Sequence, residues 1–150
     1  EEVVALALGV QRRGLLDRAR LAENARQKIE TFDVRPTDPT LPARALSGGN
    51  QQKIVIAREM GHGFRVLLAA QPTRGVDVGA IEFIHRELRA ARAAGRAVLL
   101  VSSELTEVLA LADRVAVLYR GRIVALLDRV AASAEVLGPY MTGAARGAVA

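Results

Sequence analysis

The chain has 150 residues, 51% of them apolar and 25% charged, a size and balance that fit one ordinary folded domain and exclude global disorder. Its net charge of +5 raises nucleic-acid binding, but all but two of the 21 basic side chains are arginines, spread from Arg12 to Arg146 rather than clustered. With 3% aromatic residues to stack on bases, no cysteine for disulfides or thiolate metal sites, and no apolar run near the roughly 18 residues of a membrane span, those classes recede.

Glu1-Glu2 opens the sequence with no initiator Met, basic n-region or cleavage pattern, so no secretory signal is read and a fragment is expected. From Arg12 to Lys28, Leu15, Leu16, Ala19, Ala22 and Ala25 recur at spacings of three and four and predict a helix with one shallow apolar face. Three prolines between Arg35 and Pro42 forbid helix and predict an extended connector, with a subdomain boundary near residues 33 to 43. Ser47 is a good N-cap for a helix over Gly48 to Met60, whose consecutive Ile54, Val55, Ile56 and Ala57 predict burial on several faces. Gly61-His62-Gly63 ends it.

Val66 to Ala70 then reads as a short apolar strand, Ile81, Ile84, Leu88 and Ala91 as a helix ending at Gly95, and Ala97 to Val101 as a second buried strand. Strand, helix and strand make a βαβ unit with parallel strands and a right-handed crossover, so the expected class is α/β. A helix near Glu104 to Ala112 precedes strands Val115 to Tyr119 and Ile123 to Leu126, joined by Arg120-Gly121 as a tight hairpin. Ser133 to Met141 reads as helical and Gly143 onward as loose.

Three stretches could carry chemistry. In Leu46-Ser-Gly-Gly-Asn-Gln-Gln-Lys53, two glycines ahead of a helix let backbone N–H groups approach an anion, the helix dipole adds positive potential, and Ser47 supplies a hydroxyl. That suits a phosphate, although Ser-Gly-Gly alone also reads as a plain helix cap. Arg65 to Asp77 brings Ala70 and Gln71 to the C-terminal edge of a parallel sheet, where open α/β folds bind ligands and phosphate enzymes place carboxylates. Both positions are uncharged, and Pro72 to Asp77 is equally a strand-to-helix turn. Ser102-Ser103-Glu104-Leu105 follows the second strand and also fits an ordinary cap. His62 and His85 have no partner at metal-ligand spacing, and the Gly-x-x-x-x-Gly-Lys-Ser/Thr phosphate loop is absent, so this chain alone should not hold a nucleotide tightly.

The order of Leu46-Ser-Gly-Gly-Asn-Gln-Gln-Lys53, Gln71-Pro-Thr-Arg-Gly-Val-Asp77, Val101-Ser-Ser-Glu-Leu105 and Ala112 to Ile123 resembles an ABC transporter ATP-binding domain. The particular forms of the first two resemble the second ATPase half of tandem importers serving ribose-like sugars and nucleosides, and the uncharged Ala-Ala-Gln before Pro72 looks closest to the nucleoside branch. The resemblance covers roughly residues 1 to 142 and matches the later part of one such domain. It implies a partial P-loop NTPase fold: a helical subdomain and connector over 1–43, the signature helix and α/β core over 44–128, with a C-terminal β-hairpin, and a C-terminal helix and tail over 129–150.

The same resemblance assigns Ser47, Gly48, Gly49, Asn50 and Gln51 to the signature loop, which contacts the γ-phosphate of ATP on the opposite domain, and Asp77 to a loop crossing the dimer interface. Ala70 falls where a Mg²⁺-associated Asp is usual, Gln71 where a general-base Glu is usual, and Ser103 where a switch His is usual. A methyl group cannot ligate Mg²⁺, an amide cannot take a proton from water near neutral pH, and losing a general base costs about 10²- to 10⁴-fold in rate. One composite ATP site is thus expected to be degenerate while the other keeps its cap, with ATP and Mg²⁺ bound mainly by the partner half. The implied partners are the first ATPase half or a partner ATPase subunit, membrane permease subunits and an extracytoplasmic substrate-binding protein. The implied place is the cytoplasmic face of a bacterial plasma membrane. A non-catalytic structural or regulatory module is the alternative, and a nucleic-acid-binding module the more remote one. The few readable strands also predict an uncovered apolar face on the isolated chain.

Overall fold

A computed structural model describes residues 18–61 and 63–145, together with the backbone of 11–12 and 15–16. His62 and residues 146–150, part of the stretch expected to be loose, lie outside the described residues. The chain divides into two compact units, one of residues up to 67 with 72–97, the other of residues 68–71 with 98 onward.

In the first unit, β1 (Gln11–Arg12) pairs antiparallel with β2 (Leu15–Leu16), and α1 follows over Arg18–Thr31. The expected helix therefore starts later than Arg12: Leu15 and Leu16 enter a ladder instead of a helical face, and a two-residue strand is too short to show a period. Helix α1 ends in a Schellman arrangement: Asp33 N–H donates to Glu30 O at 3.2 Å, Val34 N–H to Ile29 O at 2.9 Å, and Asp33 adopts φ +46°. The proline-rich connector that follows leads into a 3₁₀ turn at Ala43–Ala45.

Helix α2 spans Gly48–Met60 and α3 spans Val78–Ala93. Against expectation, α2 buries only Gly49 and Ala57, and Val55 stays 41% exposed. Four consecutive apolar residues point all round a helix, and the described neighbours cover one side of it. Helix α3 shows the expected period, with Ala80, Phe83, Ile84, Leu88 and Ala91 buried. Phe83 meets Phe32 edge-on at 5.9 Å, which joins the end of α1 to α3. Gly95, at φ +76°, follows the Ala94 cap and lets Arg96 N–H reach Ala91 O at 3.1 Å, a second Schellman end.

Strands β3 (Val66–Ala70) and β4 (Ala97–Val101) form a two-stranded sheet. Ala97 N–H donates to Arg65 O at its start and Gln71 N–H to Val101 O at its finish, so both strands run the same way, and α3 lies between them in sequence. The expectation that these strands are buried is not met: Leu68 is 63% and Leu99 59% exposed, and Ala70 and Val101 are exposed with them. Alternate residues of a strand share a face, so the sheet presents an apolar side.

The second unit continues with α4 (Leu105–Leu111), β5 (Arg114–Tyr119), β6 (Arg122–Asp128) and α5 (Ala134–Thr142). Strands β5 and β6 are antiparallel, with Tyr119 opposite Arg122 and a register shift beyond Val117. Arg120 at φ +48° and Gly121 at φ +76° make the two-residue turn whose twist matches that of the strands. Val115, Val117, Ala125, Ala132 and Leu137 form the core of this unit. The ring of Tyr119 lies so close over Gly143 that a Cβ there would overlap it.

Candidate functional site

The first group of candidate residues gathers at the N-terminus of α2. Ser47 caps the helix, its Oγ accepting from Asn50 N–H at 3.4 Å and from Asn50 Nδ2 at 3.0 Å. Gly48 and Gly49 then occupy the first turn, where main-chain N–H groups lack intrahelical partners and point outward. Close approaches disfavour a side chain at both, more strongly at Gly49. A Cβ on Gly49 would lie 2.8 Å from Asp77 Oδ2 and 3.1 Å from Ala80 Cβ, and one on Gly48 would lie 3.2 Å from Gly75 O.

Asp77 is thus packed against this glycine turn from the neighbouring turn. Its Oδ1 accepts from Ala80 N–H at 2.9 Å, capping α3. Gln51 turns back instead, donating through Nε2 to Leu46 O at 2.9 Å, and Gln52 Nε2 donates to Pro72 O at 2.8 Å. The loop that remains exposed at Ser47 and Gly48 offers a hydroxyl and free N–H donors at a helix N-terminus, a set suited to oxyanions.

The second group sits in the second unit, at the ends of β3 and β4. Gln71 takes φ +49°, a left-handed conformation uncommon for a side chain of its size. It is held there from both sides: its N–H donates to Val101 O at 2.7 Å, and its Oε1 accepts from Ser103 N–H and Ser103 Oγ, each at 3.3 Å. Ser102 Oγ accepts from Glu104 N–H at 3.0 Å. Ala70 is exposed beside this pair. None of the three is a carboxylate: an alanine methyl offers no oxygen to Mg²⁺, and an amide does not take a proton from water near neutral pH. Among the described residues no group of three His, Asp or Glu side chains is placed to hold a metal ion, and His85 lies half-buried on α3.

Residues not singled out in the sequence complete the first group. Arg35 N–H donates to Asn50 Oδ1 at 2.7 Å, and Lys53 Nζ donates to Asp33 O at 2.7 Å and approaches Asp33 Oδ2 at 3.4 Å. Arg35 Nε reaches Asp33 Oδ1 at 2.8 Å, and this guanidinium, then the Lys53 charge, holds the Asp33 carboxyl below its ordinary range. Lys53 is one of only two lysines among the 21 basic residues, a weak signal that this position needs a compact ammonium rather than a guanidinium.

This architecture is that of an ABC ATPase cassette. The dimeric ABC transporter cassette MJ0796 superposes with a TM-score of 0.69 at 24% identity, over 84% of this chain and 54% of that one. The same cassette bound to ADP and Pi superposes equally well, at 23% identity over 83% of this chain and 56% of that one. The chain is, over most of its length, a homologue of ABC import ATP-binding proteins. It is 49% identical over 130 residues to the guanosine import ATP-binding protein NupO of Bacillus subtilis, covering 87% of this chain and 26% of that protein. Identity is 45% to the nucleoside import ATP-binding protein NupA of Lactococcus lactis, with the same coverage. It is 43% to the ribose import ATP-binding protein RbsA 1 of Burkholderia thailandensis, over 91% of this chain and 27% of that protein. The chain therefore spans about a quarter of the length of the curated relatives it matches. No family model matches it. Among the described residues no helix is long and apolar enough to cross a membrane.

Proposed function

We propose that this chain is the C-terminal part of the second ATPase half of an importer for nucleosides or ribose-like sugars. In this reading it supplies a signature loop to ATP held by its partner while its own ATP site is degenerate. The observation that carries the reading is the contrast between its two candidate groups. At α2, Ser47, Gly48 and Gly49 retain an oxyanion-binding helix terminus; at β3 and β4, Gln71 and Ser103 are bonded to each other where a base and a switch residue would act.

ATP would be gripped at its terminal phosphate by the Ser47 hydroxyl and the main-chain N–H groups of the first α2 turn. These donors sit at the positive end of the helix dipole and favour the extra charge of a phosphoryl group in transfer. Mg²⁺ and the attacking water would belong to the partner's residues, since the Ala70 methyl cannot ligate the one and the Gln71 amide cannot deprotonate the other. Asp77 fixes the loop by capping α3 against Gly49.

In this reading residues 1–43 would meet the permease, 44–128 would supply the signature helix and ATPase core, and 129–150 the C-terminal helix and tail. The assembly would sit at the cytoplasmic face of the membrane, with permease subunits above it and a substrate-binding protein outside. The printed functions of the relatives, guanosine, nucleoside and ribose import, support the solute class. The Gln71–Ser103 bond also supports a second reading, a regulatory module that kept the fold and lost turnover.

The test is Gly48→Asp in the full-length ATPase assembled with its permease. An added carboxylate at the oxyanion terminus should reduce transport-coupled ATP hydrolysis by about 10²-fold or more, the scale of losing a preorganised donor. Unchanged hydrolysis would leave the regulatory reading in place of the first.

A further inference from the structure

We propose that Asn50 is a positioning residue that fixes the Ser47 hydroxyl as a donor toward phosphate and ties that polarity to the turn at Asp33 and Arg35. The inference rests on the reading of the α2 terminus given above and deepens it. It starts from a main-chain N–H, a group that can only donate.

Arg35 N–H lies 2.7 Å from one terminal atom of the Asn50 amide, so that atom is the carbonyl Oδ1. The remaining atom, Nδ2, can only donate, and it lies 3.0 Å from Ser47 Oγ. Asn50 N–H approaches the same Oγ at 3.4 Å. A serine hydroxyl has two acceptor lone pairs and one proton. With two donors aimed at the oxygen, the proton has to point away from Asn50, and Ser47 is an exposed residue. A phosphate oxygen near neutral pH is chiefly an acceptor. The loop is therefore biased toward such a ligand before it arrives, with less hydroxyl rotation left to restrict.

The Arg35 N–H is itself held in place. Asp33 closes α1 at φ +46°, Val34 N–H returns to Ile29 O at 2.9 Å, and Lys53 Nζ holds Asp33 O at 2.7 Å. Lys53 and Asn50 lie one turn apart on α2, so the helix grips the 33–35 turn at two points. A displacement of the end of α1 would pull the Arg35 donor from Asn50, free the amide to rotate, and release the Ser47 proton from its outward direction.

A double-mutant cycle tests this in the full-length ATPase assembled with its permease. Asn50→Ala and Ser47→Ala should each lower kcat/KM for ATP by about tenfold, and the double variant should be no worse than Ser47→Ala alone, since Asn50 acts through that hydroxyl. Independent, multiplicative losses would overturn the proposal. Asn50→Asp guards against a merely structural effect: it keeps an acceptor for Arg35 N–H but takes the Ser47 proton inward. It should lose at least as much activity as Asn50→Ala while amide-exchange protection at Arg35 is retained; full activity in Asn50→Asp would overturn the proposal. Gly48→Asp measured alongside separates the two levels. If it abolishes hydrolysis while the cycle is multiplicative, the positioning role falls and the signature-loop reading stands; if it changes nothing, both fall.

Discussion

Lys53 Nζ donates to the main-chain oxygen of Asp33 at 2.7 Å and lies 5.2 Å from the centroid of the Phe83 ring. One ammonium thus satisfies the carbonyl at the end of α1 while facing an aromatic core residue of α3. With its side chain 14% exposed, its charge is largely withdrawn from water and depends on these partners.

Replacing Lys53 by Met should keep the aliphatic packing and remove both interactions. A hydrogen bond to a charged group contributes about 1.5 to 3 kcal/mol, so local opening of the 29–35 segment should become easier by a comparable amount. Amide hydrogen exchange of the full-length protein measures it, as faster exchange at Val34 and Arg35. Unchanged protection there would contradict the role of Lys53.

At Gly49 the expectation is a steric cost. A methyl group would press on the Asp77 carboxylate at 2.8 Å and Ala80 Cβ at 3.1 Å. Overpacking of this kind costs about 1 to 3 kcal/mol, and Gly49→Ala should lower the unfolding temperature more than Gly48→Ala, whose methyl meets only Gly75 O. Differential scanning calorimetry of the two variants gives the order.

The Asp33 carboxyl should act as an acid-side latch on the same turn. Its pKa is held below the ordinary 3.8, first by the Arg35 hydrogen bond and then by the Lys53 charge. A folded-state pKa lowered in this way adds stability that is fully present above the unfolded value and lost as pH falls through the folded one. Protection of residues 33–35 should therefore hold down to the ordinary aspartate range and fail below it, whereas Asp33→Asn should show no such acid step. Amide exchange, corrected for its intrinsic pH dependence, reads the difference.

The apolar side of the β3–β4 sheet should betray itself in the isolated 150-residue chain. Leu68, Leu99 and Val101 are 63%, 59% and 48% exposed, and a contiguous patch of this kind binds hydrophobic probes. The chain should raise the fluorescence of an anilinonaphthalene dye, and Leu99→Lys should reduce that rise. A clean monomer with cooperative unfolding and no dye response would contradict it.

Features governed by neighbours in sequence were legible. Ser47 caps α2, the period of Ile84, Leu88 and Ala91 sets the buried side of α3, and Arg120-Gly121 turns the hairpin, because caps, helical faces and two-residue turns are local physics. The likeness to import ATP-binding proteins was legible as well. Contacts across long separations were not legible. Arg35 meets Asn50 fifteen positions away, and Lys53 meets Asp33 twenty away, with no periodic pattern to mark either pair. The burial of Ile54, Val55 and the β4 strand was misjudged for a related reason. An apolar pattern states which side needs cover, whereas exposure depends on which elements stand against it, and the described residues leave Val55, Leu99 and Val101 open.

Tyr119, stacked over Gly143, and Tyr140 on α5 both belong to the second unit, and the chain has no tryptophan. Intrinsic tyrosine emission therefore comes from that unit alone. Placing a tryptophan at Phe32 or Phe83 would give the first unit a separate spectral signal, so that the opening of each could be timed independently in a single stopped-flow experiment.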